Sequence, residues 1–86
     1  MTTILKTLTP NKAVNLFFND ELTHAEKVKA FEEKNISADS LFYGLCRETE
    51  CNLSTGYDIQ LEYTRAFFPN YRPSEKLIKA IFSIKN

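Results

Sequence analysis

Eighty-six residues, 43% of them apolar, with seven Phe, four Tyr and only two Gly and three Pro, describe one folded domain and exclude a disordered or low-complexity chain. Eleven basic and eleven acidic residues cancel, which speaks against a uniformly basic, nucleic-acid-coating surface. Two cysteines and one histidine are too few for a disulfide framework and make a poor zinc site.

A chain this short buries roughly 60–65% of its unfolded surface, enough to fold without staples but with little interior left for an enclosed active site. The eleven aromatic rings raise the burial available per residue. The opening Met-Thr-Thr-Ile-Leu-Lys-Thr-Leu has no apolar signal-peptide core, and no run approaches the roughly 18 apolar residues of a membrane span. A cytoplasmic protein with free thiols is expected.

In chain order, residues 2–8 are β-branched and alternating enough for a short extended strand or arm. Thr9-Pro10 is a helix start, a capping residue followed by proline at the first helical position. Ala13, Leu16 and Phe17 follow at helical spacing, and Asn19-Asp20 stops the helix. Thr23 and Glu26 form a capping box for a helix running to about Lys34. On it Ala25, Val28 and Phe31 are expected inside, with Lys27, Glu32 and Glu33 toward water.

Ser37 caps the next helix, with Ile36 and Leu41 at the spacing of a hydrophobic staple. Ala38, Leu41, Phe42, Leu45 and Cys46 give the cleanest helical period in the chain. Glu48-Thr-Glu-Cys-Asn52 closes it, and Leu53-Ser-Thr-Gly56 is a loop. Residues 57–68 fit two patterns. Tyr57, Ile59, Leu61 and Tyr63 alternate as in a strand, while Ile59, Tyr63, Ala66 and Phe67 mark a helical stripe with Asp58 as its cap. Helix is favoured, because a lone strand needs a partner that only residues 2–8 supply. A turn at 68–73 leads to Ser74, the cap of a last helix with Leu77, Ile78, Ile81 and Phe82 on one stripe and Lys76, Lys79 and Ser83 opposite. The expected fold is all-α, a bundle of four to five short helices in a single domain.

No constellation of catalytic or metal-binding residues is legible. His24 sits in a first helical turn, far in sequence from both cysteines. The Cys46-x4-Cys51 spacing is not a zinc motif, and Cys46 lies on a buried stripe where a thiolate is disfavoured. Both glycines are isolated, so there is no phosphate-cradling loop. The carboxylates neighbour lysines on solvated helix faces. A non-enzymatic protein without cofactor, metal or small-molecule substrate is expected.

Two segments point to binding. Residues 24–48 read as helix, the tight turn Asn35-Ile36-Ser37, and a second helix. This resembles the helix-turn-helix DNA-binding family. The resemblance implies that Asn35 adopts the left-handed conformation, Ile36 locks the helix pair, and Asp39, Ser40, Tyr43 and Arg47 face outward toward bases and phosphates. The plainer reading of the same residues is an ordinary helix pair, which acidic Asp39 and Glu48 favour, since phosphate contacts supply most nucleic-acid affinity.

The second segment is the C-terminal third. Residues 1–62 hold six basic and ten acidic groups, a net of −4, whereas residues 63–86 hold five basic groups against Glu75, a net of +4. Here Arg65, Phe68, Tyr71 and Arg72 interleave rings with guanidinium groups, and Lys76 and Lys79 follow. Rings and cations together suit single-stranded nucleic acid or a protein interface. The alternative for Tyr63, Phe67 and Phe68 is the core. The expected activity is binding, either as a helix-turn-helix-like nucleic-acid-binding regulator or as an inhibitor or adaptor, such as a phage accessory protein, on a larger host enzyme. Tyr43, Arg47, Arg65, Phe68, Tyr71, Arg72, Lys76 and Lys79 are the candidate contact residues.

Overall fold

Polar caps start several of the helices in a computed structural model of the chain, which describes residues 3–49, 51 and 54–85. Among these residues six helices follow one another: α1 (Thr3–Lys6), α2 (Pro10–Phe17), α3 (His24–Glu33), α4 (Ala38–Glu48), α5 (Asp58–Arg65) and α6 (Glu75–Lys85). The fold is all-α, with no sheet among the described residues. Thr23 Oγ1 accepts the Glu26 N–H at 3.2 Å while Glu26 Oε1 accepts the Thr23 N–H at 2.8 Å, a complete capping box. Ser37 Oγ accepts the Ser40 N–H at 3.2 Å, and Ser74 Oγ accepts that of Leu77 at 3.1 Å. Thr9 precedes Pro10 as expected, but its side chain makes no cap bond; its N–H donates to Ser40 Oγ at 3.0 Å and ties the start of α2 to α4.

The α3–α4 turn is a Schellman stop. Asn35 is left-handed at φ 55°, Ile36 N–H donates to the Phe31 carbonyl at 2.9 Å, and Asn35 N–H to that of Glu32 at 3.2 Å. Ile36 and Phe31 are both buried in one apolar cluster, the hydrophobic contact that accompanies this motif.

Three expectations are corrected. Residues 3–6 form a helical turn and not a strand. A turn of helix satisfies backbone groups locally, and it lets Leu5 and Leu8 reach the cluster that holds Leu77 and Ile81. Ala25 is exposed and Lys27 half-buried, its ammonium donating to the Phe17 carbonyl at 2.7 Å. Residues 58–65 are helical, but Asp58 is the first helical residue and Tyr57 stands at the cap without a side-chain bond. Thr2, Glu50, Asn52 and Leu53, assigned to the arm, helix end and loop, lie outside the described residues.

Two apolar clusters fill the interior, and α4 serves both. Leu41 and Leu45 join Ala13, Leu16, Phe31 and Ile36 on one side. Phe42 and Cys46 join Leu5, Cys51, Leu77, Ala80, Ile81 and Phe82 on the other. Helices α2, α5 and α6 all pack on α4. The approach of α2 is permitted by Gly44: a Cβ there would lie 2.5 Å from Val14 Cγ2 and 2.8 Å from the Pro10 carbonyl oxygen. Gly44→Ala is therefore expected to force α2 off α4 and lower unfolding stability by about 1–3 kcal/mol, read from urea denaturation. An unchanged midpoint would show that the contact yields without cost.

Candidate interaction surface

Helix α5 has two apolar stripes and buries only one. Tyr57, Leu61 and Phe68, spaced i, i+4 and i+11, pack inward together with Gln60 and Thr64. Tyr57 meets the Phe42 ring edge-on at 5.6 Å, and Phe68 meets Phe31 at 5.6 Å, so each end of the segment is held by a different cluster. The buried polar groups are satisfied: Gln60 Nε2 donates to Thr49 Oγ1 at 2.6 Å and Thr64 Oγ1 to the Gln60 carbonyl at 2.8 Å. The stripe expected inside, Ile59, Tyr63 and Ala66, faces out instead, with Ile59 59% and Tyr63 47% exposed. Only Phe67 of that set is half-buried.

This outward stripe continues onto the end of α2. The Phe17 ring lies 5.7 Å from Tyr63, 5.6 Å from Phe67 and 4.9 Å from Phe18, and Phe18 is itself 58% exposed. His24, in the first turn of α3, stacks on the other side of the group, 4.5 Å from Phe67. The result is a continuous aromatic and aliphatic face made by Phe17, Phe18, Ile59, Tyr63 and Phe67. Lone exposed apolar residues are ordinary, and it is their joining into one group that makes this face the candidate interaction surface. Neither Phe18 nor Ile59 was among the candidate contact residues read from the sequence, where Ile59 was expected on the inward stripe.

The residues singled out from the sequence divide among several places. Arg65, Tyr71 and Arg72 come together, lining with Pro69 and Asn70 a polar depression of about 370 Å³. Arg65 Nε donates to the Tyr71 carbonyl at 3.0 Å, which fixes its guanidinium over the turn. Tyr71 and Phe68 are half-buried, their rings packed on Phe42 and Phe31 at 5.9 and 5.6 Å, so neither stands free as a stacking platform. Tyr43 and Arg47 pair on α4, the guanidinium 5.5 Å from the ring centroid. Lys76 and Lys79 are exposed on α6. Ser40, expected to face outward, is buried and bonded to Ser37 and Thr9, because the α2 entry covers the first turn of α4.

Cys46 and Cys51 are free and buried in one cluster. No group of three or more metal-ligating side chains converges among the described residues, and none of their helices is long and apolar enough to cross a membrane. The chain matches no protein-family model, no curated protein and no solved structure.

Tyr71 also locks the turn to α4, its hydroxyl donating to Asp39 Oδ1 at 2.7 Å. Burial, and then the Asp39 carboxylate, push its ionisation far above the ordinary value of 10.0. The unfolded phenol releases its proton near that ordinary value while the folded one keeps it. The linked contribution to stability is therefore whole below pH 10 and declines as pH rises beyond it. Tyr71→Phe is expected to cost about 0.5–1.5 kcal/mol at neutral pH and to flatten the alkaline decline in denaturation midpoint. A variant with wild-type stability and the same alkaline slope would show that the hydroxyl contributes nothing.

Proposed function

We propose that this protein is a non-enzymatic protein-binding module, an inhibitor or adaptor that docks on a larger partner through the face made by Phe17, Phe18, Ile59 and Tyr63. The observation that carries the reading is the orientation of α5, which holds Gln60 and Thr64 inside and presents Ile59 and Tyr63 outside. Aromatic residues are enriched where interfaces concentrate their binding energy. The zero net charge accords with a protein partner as well.

A second reading, nucleic-acid binding, is favoured by one observation, the meeting of Arg65 and Arg72 around a depression that no carboxylate lines. Under it the two guanidinium groups and the lysines of α6 would contact phosphates, with α3 and α4 as a helix-turn-helix-like pair. The enclosure of α4 by α2, α5 and α6 leaves that helix only Asp39, Tyr43, Arg47 and Glu48 to offer a groove, which supports the first reading over the second.

Two sets of substitutions separate these readings. Capture from extracts of the source cells is compared for the wild-type chain, a Phe18→Ser/Ile59→Ser/Tyr63→Ser variant and an Arg65→Ala/Arg72→Ala variant. One stoichiometric protein retained by the arginine variant and lost by the apolar-face variant is expected. Retardation of duplex or single-stranded probes in low salt, abolished by the arginine substitutions and steeply weakened by added salt, would replace the first reading with the second.

A further inference from the structure

We infer that the partner element seated on this face is an amphipathic helix with a basic polar side. The inference rests on the protein-binding reading and adds to it the chemistry of the partner. It stands on charge and shape together.

The two segments that build the face carry more acidic than basic groups. Residues 13–27 contain Asp20, Glu21 and Glu26 against Lys27, and residues 54–67 contain Asp58 and Glu62 against Arg65. Asp20 and Glu21 follow Phe18 in the α2–α3 turn, while Asp58 and Glu62 flank Ile59 and Tyr63 on α5, and all four are exposed. Of the two basic groups, Arg65 is bonded to the Tyr71 carbonyl, while the Lys27 ammonium is held on the carbonyl of Phe17 at the edge of the face. An apolar centre carried by segments of net negative charge is complementary to an apolar anchor flanked by Lys or Arg, and it disfavours acidic surfaces.

Charge also argues against a second copy. A two-fold pairing would place this acidic rim against itself. A head-to-tail pairing with the basic C-terminal third would give rings or open chains and not a two-fold dimer.

Taking roughly 150–250 Å² for a large side chain, the exposures of Phe18 (58%), Tyr63 (47%) and Ile59 (59%) amount to about 300 Å², the apolar centre of a contact without its polar rim. One row, Ile59, Tyr63 and Ala66, runs along α5 at i, i+4 and i+7, and Phe17 and Phe18 stand beside it. A linear strip of this kind suits one helix laying down anchors at the matching spacing.

The test uses three labelled helix-forming peptides with one identical Leu/Phe face and polar faces of Lys, Glu or Gln, titrated with the full chain by fluorescence anisotropy. The Lys peptide is expected to bind at least about tenfold tighter than the Glu and Gln peptides in low salt, with the preference shrinking as salt is added. Asp20→Asn/Glu21→Gln/Asp58→Asn/Glu62→Gln is expected to remove the preference. Phe18→Ser/Ile59→Ser/Tyr63→Ser is expected to remove binding, each variant keeping the wild-type helical spectrum.

Equal binding of the Lys and Gln peptides, lost in the apolar-face variant, overturns the charge inference and leaves the protein-binding reading standing. Binding that is indifferent to the apolar-face substitutions overturns both, as does the absence of saturable binding by any peptide. A concentration-dependent dimer in light scattering, dissolved by Phe18→Ser/Ile59→Ser/Tyr63→Ser, assigns the face to a second copy and overturns the inference.

Discussion

Everything in this molecule leans on α4. Its side chains form two adjoining apolar ridges, Leu41 with Leu45 and Phe42 with Cys46, and each ridge anchors its own cluster. An 86-residue chain has few large residues to distribute, and placing one helix between two clusters lets both be filled from short neighbours. The arrangement requires α2 to come close, which is why position 44 lacks a side chain, and why Ser40, buried beneath the entry to α2, takes its hydrogen bonds from Thr9 and Ser37. Enclosure is the consequence. Both apolar ridges of the helix with the clearest amphipathic pattern are committed to the interior, which leaves it a narrow polar strip of Asp39, Tyr43, Arg47 and Glu48 at the surface.

That constraint decides the rotation of α5. With Tyr57 required by the Phe42–Phe82 side and Phe68 by the Phe31 side, the inward stripe is fixed at both ends. With Tyr57, Leu61 and Phe68 turned inward, Phe67 stays half-buried as well, so of the large apolar side chains in this segment only Ile59 and Tyr63 are left exposed. Gln60 and Thr64 come along. Leaving either unsatisfied would cost about 1–3 kcal/mol, and the bonds to Thr49 and the Gln60 carbonyl remove that cost. Among the described residues no buried side-chain polar atom lacks a partner.

The helical elements from Pro10 onward were legible because their signals are local. Thr23 with Glu26, Asn35-Ile36-Ser37 and Ser74 announce helix ends through bonds made within a few residues. The strand expected at residues 2–8 failed for the opposite reason: three β-branched threonines suggest extension, but the helical turn there is selected by a distant surface on α6. The face of α5 was illegible in the same way. Two stripes of comparable apolarity are written in residues 57–68, and the choice between them depends on Phe31, Phe42 and Phe82, which lie far away in the chain. Of the contact residues read from the sequence, Arg65, Tyr71 and Arg72 do assemble, since they span a single turn whose closure is local.

The exposed face has an energy that sets what it can do. About 300 Å² of apolar surface, at roughly 25 cal/mol per Å², corresponds to about 7–8 kcal/mol on complete burial. Association itself costs about 4–15 kcal/mol in lost freedom, so the apolar contact alone sits near break-even. A surface in that position is not sticky toward every neighbour. Under the proposed reading its occupancy is decided by the charges beside it. Asp20, Glu21, Asp58 and Glu62 outnumber Lys27 and Arg65 there, and that excess of negative charge would add the margin that lets a basic partner stay.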